Sequence, residues 1–153
     1  MIHFFFWNFN TKGTIEHPES IVAQTALKHD ADLIVLTESR VAPVLIVEEL
    51  NRHESAFHIP ETHHTRFAIF TRFPSVFLEP FEDHPRMSLR RLRLPGRLEI
   101  LIGVVHFPDR RNHPPSEQRS VSFEMAEFLR DAETRAGHRR TILVGDFNMN
   151  PFD

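Results

Sequence analysis

The chain has 153 residues, 41% hydrophobic and 25% charged, with a formal net charge of −3 and no cysteine. That composition suits one globular domain with its own core. It excludes disulfides, thiolate metal sites and cysteine nucleophiles, and it lacks the strong positive charge of a dedicated nucleic-acid binder. The missing cysteines fit a cytoplasmic location. The opening Met1–Phe6 has no basic flank and is broken early by Asn8, unlike a signal peptide, and the apolar run Val41–Val47 is far too short to span a membrane.

Ile2 to Trp7 is a β-prone apolar run that predicts a buried strand, with Asn8 and Asn10 on one face at its end. Pro18 sits where the first turn of a helix tolerates it. Ile21, Val22, Thr25, Ala26 and His29 form the inward stripe of a helix reaching Lys28. Leu33 to Leu36 predicts a second buried strand, ended by Thr37-Glu38, so the helix reads as a crossover between neighbouring strands. An acid leaving a buried strand end is costly unless it is paired or bound to a cation. Glu38 is such an acid; the alternative is a cap for the segment that follows.

Arg40 to Arg52 reads as a helix with Pro43 in its first turn. Phe57–Pro60 and Arg66–Thr71 read as strands joined by a link containing His63-His64. Ser75–Leu78 and Ser88–Leu94 continue the sheet, and after the Pro95-Gly96 turn Leu98–His106 returns as a hairpin strand. His106 follows Ile100, Ile102 and Val104 on one face, as a rim histidine or a functional one. The arginines Arg86, Arg90, Arg91, Arg93 and Arg97 suit a solvated strand face or bidentate phosphate donors. Phe107–Pro115 is a proline-rich loop whose Arg110 and Arg111 are candidate substrate contacts. The eleven histidines show no zinc-ligand spacing. Ser116 is the expected N-cap of a helix with the stripe Val121, Met125, Phe128, Leu129 and Ala132, ended by Gly137.

Thr141–Val144 predicts a last buried strand, closed by Gly145. On an extended backbone Asp146 and Asn148 project together while Phe147 turns into the core, and Pro151 forbids a regular continuation. A carboxylate beside a carboxamide can position water, hold a metal through that water, or bind a phosphate oxygen. A solvated turn is the alternative.

Gly145-Asp146-Phe147-Asn148 resembles the signature of the endonuclease/exonuclease/phosphatase family. Three further pieces match in that family's order: Trp7-Asn8-Phe9-Asn10, the segment Asp32–Glu38, and Val104-Val105-His106. Arg66–Pro74 resembles the family's central strand and its Ser/Thr-Arg-x-Pro turn. The resemblance implies an α/β (α+β) fold, a four-layer sandwich of the deoxyribonuclease-like type. It is read as a single partial domain, 1–153, truncated after the Gly-Asp-Phe-Asn strand, because the family carries as much chain again, with a terminal Asp-His pair.

The implied activity is hydrolysis of P–O bonds by a nuclease or phosphodiesterase that uses Mg²⁺ or Mn²⁺. Glu38 would be the principal metal ligand, with Asn8 and Asn10 beside it. Asp146 would activate water, and His106 and Asn148 would donate to the phosphoryl oxygens. Asn10 stands where abasic-site endonucleases carry aspartate, and the chain has no tyrosine, which argues against that branch. The expected partners are a phosphoester, nucleic acid among the candidates, and no membrane span. The alternative is a catalytically incomplete fragment with poor turnover. It would form a homodimer through a bare sheet face, or take up a complementing C-terminal segment.

Overall fold

Phe4–Asn8 forms strand β1 and Leu33–Thr37 forms β2, paired in parallel from Phe4↔Leu33 to Asn8↔Thr37. All five β2 residues are buried, as a near-continuous apolar run requires of a central strand. The computed structural model describes residues 1–10, 15–52, 56–61, 66–109 and 112–149, which fall into two units, Met1–Glu79 and Pro80–Asp153.

In the first unit, β3 (Phe67–Thr71) pairs antiparallel with the other edge of β2, giving the order β1-β2-β3. Helices α1 (Pro18–Lys28) and α2 (Pro43–Asn51) bury Val22, Ala23, Ala26, Ile46 and Leu50 against Ile34, Leu36, Phe57 and Phe70. Ile21 is exposed, so the inward stripe of α1 is rotated by about one residue from the expected one. Helix α2 starts at Pro43 rather than Arg40, with Ala42 extended before it; a proline restricts the preceding residue away from the helical region. Phe57–Pro60 is not a strand. It makes one bridge, His58↔Thr71, and Asn51 supplies the missing ladder by accepting from Phe57 N–H at 2.7 Å and donating to its carbonyl at 2.9 Å.

In the second sheet the order is β4-β5-β6-β7. A 3₁₀ turn at Ser75–Phe77, where a strand was expected, leads into β4 (Leu78–His84). Strands β5 (Met87–Leu92) and β6 (Ile100–His106) form the antiparallel hairpin, Leu92↔Ile100 to Met87↔Val105. Helix α3 (Pro115–Ala136) then crosses over to β7 (Thr141–Asp146), parallel to β6. The N-cap position of α3 is Pro114, not Ser116, with proline at the first helical position, where a missing N–H costs nothing. Its whole expected stripe packs on Met87, Leu89, Val105 and Phe107.

Two expectations are corrected. Strand β6 belongs with β5 and β7, not with the first three strands, because the hairpin and the crossover occupy both of its edges. The last strand is not the buried one expected either: Ile142 and Leu143 of β7 are exposed, whereas Leu33, Val35 and Ile69 of the first sheet are buried. Arg90 is also buried, donating to Ser88 Oγ at 3.2 Å, so it is no surface phosphate donor. Among the described residues no helix is long and apolar enough to cross a membrane.

Candidate active site

The polar candidates collect at strand ends. Because β1 and β2 run parallel in register, Asn8 closes β1 beside Thr37, and Glu38 is the next residue on. Asn8 Nδ2 donates to Glu38 Oε1 at 3.4 Å, a long hydrogen bond. Glu38 is exposed and takes a left-handed backbone, φ 55°, unusual for a residue with a long side chain. That turn ends β2, whose five residues are all buried, and carries the acid out to the surface. Asn10 is exposed two residues beyond Asn8.

In the second unit His106 and Asp146 are the last residues of β6 and β7 and face each other in register. Phe107 N–H donates to the Asp146 carbonyl at 2.9 Å, carrying the ladder one step past the strands. Gly145 makes this approach possible. Its φ is 152°, and a methyl group there would overlap the Val105 carbonyl oxygen. Phe147 turns into the core cluster as expected, edge-on to Phe107.

Asn148 departs from the extended expectation. Its φ is 49°, and its N–H donates to Asp146 Oδ1 at 2.9 Å, an Asx turn. Its Nδ2 donates to the Phe107 carbonyl at 2.9 Å. One amide hydrogen of Asn148 therefore ties the β7 turn to the segment leaving β6.

Gln118, missed in the sequence, completes this frame. It is buried on α3, and its Nε2 donates to the carbonyls of Pro108 at 3.0 Å and Asn148 at 3.2 Å. The available signal was its place one turn before Val121 on the apolar stripe, where a polar residue needs buried partners. Arg110 and Arg111 lie outside the described residues. Among the described residues no group of three or more His, Cys, Asp or Glu could hold a metal ion. At the end of β1 the structure brings together the Asn8 amide nitrogen and the Glu38 carboxylate.

Two mixed sheets, each with a parallel crossover through a helix and polar residues at its strand ends, define an α/β protein of the phosphoesterase type of fold. The chain belongs to the endonuclease/exonuclease/phosphatase family, whose sequence profile matches residues 7–153. No curated protein sequence matches it. Among solved structures it is similar to TDP2 from C. elegans, with a TM-score of 0.64 and 14% identity over 97% of this chain and 48% of that one. It is also similar to D. rerio TDP2 complexed with single strand DNA product, with a TM-score of 0.59 and 12% identity over 97% of this chain and 61% of that one. The human Nocturnin catalytic domain with bound sulfate gives 0.60 and 15%, covering 99% and 66%. At these identities the likeness is one of fold. The chain spans about half the length of C. elegans TDP2.

Proposed function

We propose that this chain is a metal-dependent phosphoesterase that hydrolyses P–O bonds of phosphodiesters, with Mg²⁺ or Mn²⁺ as its ion. The pairing of Asn8 with Glu38 at neighbouring parallel strand ends is the observation that supports this most directly. Those two residues would hold the ion, with Asn10 at the margin. Bound there, an ion would neutralise charge on the phosphate and on the leaving oxygen.

Asp146 takes a proton from the attacking water as the water oxygen bonds to phosphorus. The ester P–O bond breaks toward the alcohol oxygen, which takes a proton from solvent. The Asn148 N–H at Oδ1 fixes the orientation of that carboxylate. His106 and the second amide hydrogen of Asn148 donate to the non-bridging oxygens as their charge grows. Arg110 and Arg111, outside the described residues, would contact substrate. The DNA product complexed with D. rerio TDP2 supports nucleic acid as the first substrate class to test.

Calorimetric titration with Mn²⁺, paired with hydrolysis of bis(4-nitrophenyl) phosphate, tests this reading. Metal binding and turnover should both disappear in Glu38→Gln. Asp146→Asn should keep the binding and lose about 10²–10³ in rate, the usual effect of removing one such group. Binding equal to wild type in Glu38→Gln, or turnover that survives both substitutions, overturns the proposal.

A further inference from the structure

The second unit carries a concentration of positive charge at the ends of its strands opposite to His106 and Asp146. Arg91, Arg93, Arg97, Arg139 and Arg140 stand there against the carboxylates Glu99 and Glu133, in a chain whose net charge is −3. Glu99 organises the group. Its carboxylate accepts from Arg93 Nε at 2.6 Å and His138 Nε2 at 3.1 Å and forms an ion pair with Arg91, whose Nε lies 3.5 Å away. Its carbonyl accepts from Arg140 Nε at 2.8 Å. Arg140 N–H donates to His138 Nδ1 at 3.2 Å, which leaves the ring proton on Nε2, toward Glu99.

These bonds fix two turns at one end of the sheet. In the β5–β6 turn Arg97 N–H donates to the Leu94 carbonyl at 3.1 Å, with Pro95 and then Gly96 at φ 68° between them, a type II turn. The other turn is His138–Arg140, leading into β7. Arg93, Arg97, Arg139 and Arg140 are all exposed. With Glu79 at the start of β4 there are three carboxylates at this end, which do not neutralise five guanidinium groups, so it stays positive.

We infer that this end is a second phosphate-contacting surface, which grips the backbone of a nucleic-acid strand whose scissile phosphate sits at the His106–Asp146 end. Only the second half of that statement rests on the phosphoesterase reading. Strand β6 separates the two ends by roughly 20 Å at about 3.3 Å per residue. That length covers about six phosphates at duplex spacing. A linear polyanion can meet both ends of one strand, whereas a membrane lying against the arginines leaves the opposite end remote. Guanidinium groups match phosphate oxygens as paired donors.

The experiment is fluorescence anisotropy of a labelled single-stranded DNA oligonucleotide in chelator, over a salt series, with wild type and the double variant Arg97→Gln/Arg139→Gln. Neither side chain contacts Glu99, and a thermal melt checks that the fold is kept. The variant should bind the oligonucleotide several-fold more weakly, and its slope of log K against log salt should shrink by about 1.4, at about 0.7 per single-strand phosphate contact. Its metal-dependent cleavage of a dinucleotide should equal that of wild type.

An unchanged slope, or a wild type that does not bind the oligonucleotide, overturns the inference. So does a variant that loses binding to phosphatidylserine vesicles and keeps its binding to DNA. Failure of both proteins to cleave the dinucleotide would count against the catalytic reading instead, and the binding data would still decide this one.

Discussion

Asn148 donates its backbone N–H to Asp146 Oδ1 at 2.9 Å while its own side chain reaches the Phe107 carbonyl at 2.9 Å. One residue therefore orients the candidate base and ties the end of β7 to the end of β6, and it does so from a left-handed backbone. Asn148→Gly keeps that backbone and loses the amide, while Asn148→Ala loses both. The alanine variant should be less stable than the glycine variant by about 1–2 kcal/mol, the cost of the left-handed conformation for a residue with a Cβ. Equal melting of the two variants would show that the turn does not depend on this conformation.

Asn8 and Asn10 should separate cleanly. Asn8 is bonded to Glu38 and Asn10 stands exposed beyond it. Asn8→Ala should weaken Mn²⁺ binding about 10–100-fold, as the loss of groups that orient a ligand does. Asn10→Ala should stay near wild type. The reverse order, read by calorimetry, would move the ion to the other side of the β1 end.

Gly145→Ala should be among the most disruptive single changes in the second unit. The added methyl meets the Val105 carbonyl, which is part of the β6–β7 ladder and cannot rotate away. Strain and overpacking together put the loss at about 1–3 kcal/mol. Chemical denaturation would show it as a lower midpoint. A midpoint equal to that of wild type would mean that the strand end relaxes without cost.

Glu99 gives the stability a defined pH direction. Burial pushes its carboxyl up, but the hydrogen bonds from Arg93 and His138, with the charges of Arg91 and Arg93, outweigh burial and hold it below the ordinary value of 4.5. A depressed folded value means that the unfolded chain takes up the proton first. The stabilisation is therefore complete above the unfolded value and vanishes as pH falls through the folded one. Urea midpoints should fall on acidification below the ordinary carboxylate range, and Glu99→Gln should shrink that fall. Identical acid profiles would exclude Glu99 as a contributor.

The parts legible in the sequence were those with a strong local period or an ordered motif. The stripe from Val121 to Ala132 and the crossover from Ile2–Trp7 to Leu33–Leu36 each state their partner face in their own residues. Strand β4 was not legible, because Pro80 and the acids Glu79, Glu82 and Asp83 break any apolar alternation. The sheet to which β6 belongs was likewise hidden, since an apolar strand does not name its neighbours. At the candidate site, residue identities followed from the motif series, but conformation did not. The tie from the Asn148 side chain to the Phe107 carbonyl and the clamp from Gln118 to the Asn148 carbonyl join residues distant in sequence.

The parallel pairing of β6 with β7 has a kinetic consequence. Leu92 meets Ile100 across a short turn, whereas Leu101 meets Thr141 only after α3 has been traversed. Closing a loop of about 40 residues costs more chain entropy than closing a hairpin, so the β5–β6 hairpin can form on the microsecond scale while β7 waits for the helix. Pulsed hydrogen exchange during refolding should protect the amides of Ser88 and Arg90 before those of Ile142 and Val144. Simultaneous protection would mean instead that the second unit assembles around its crossover in a single step.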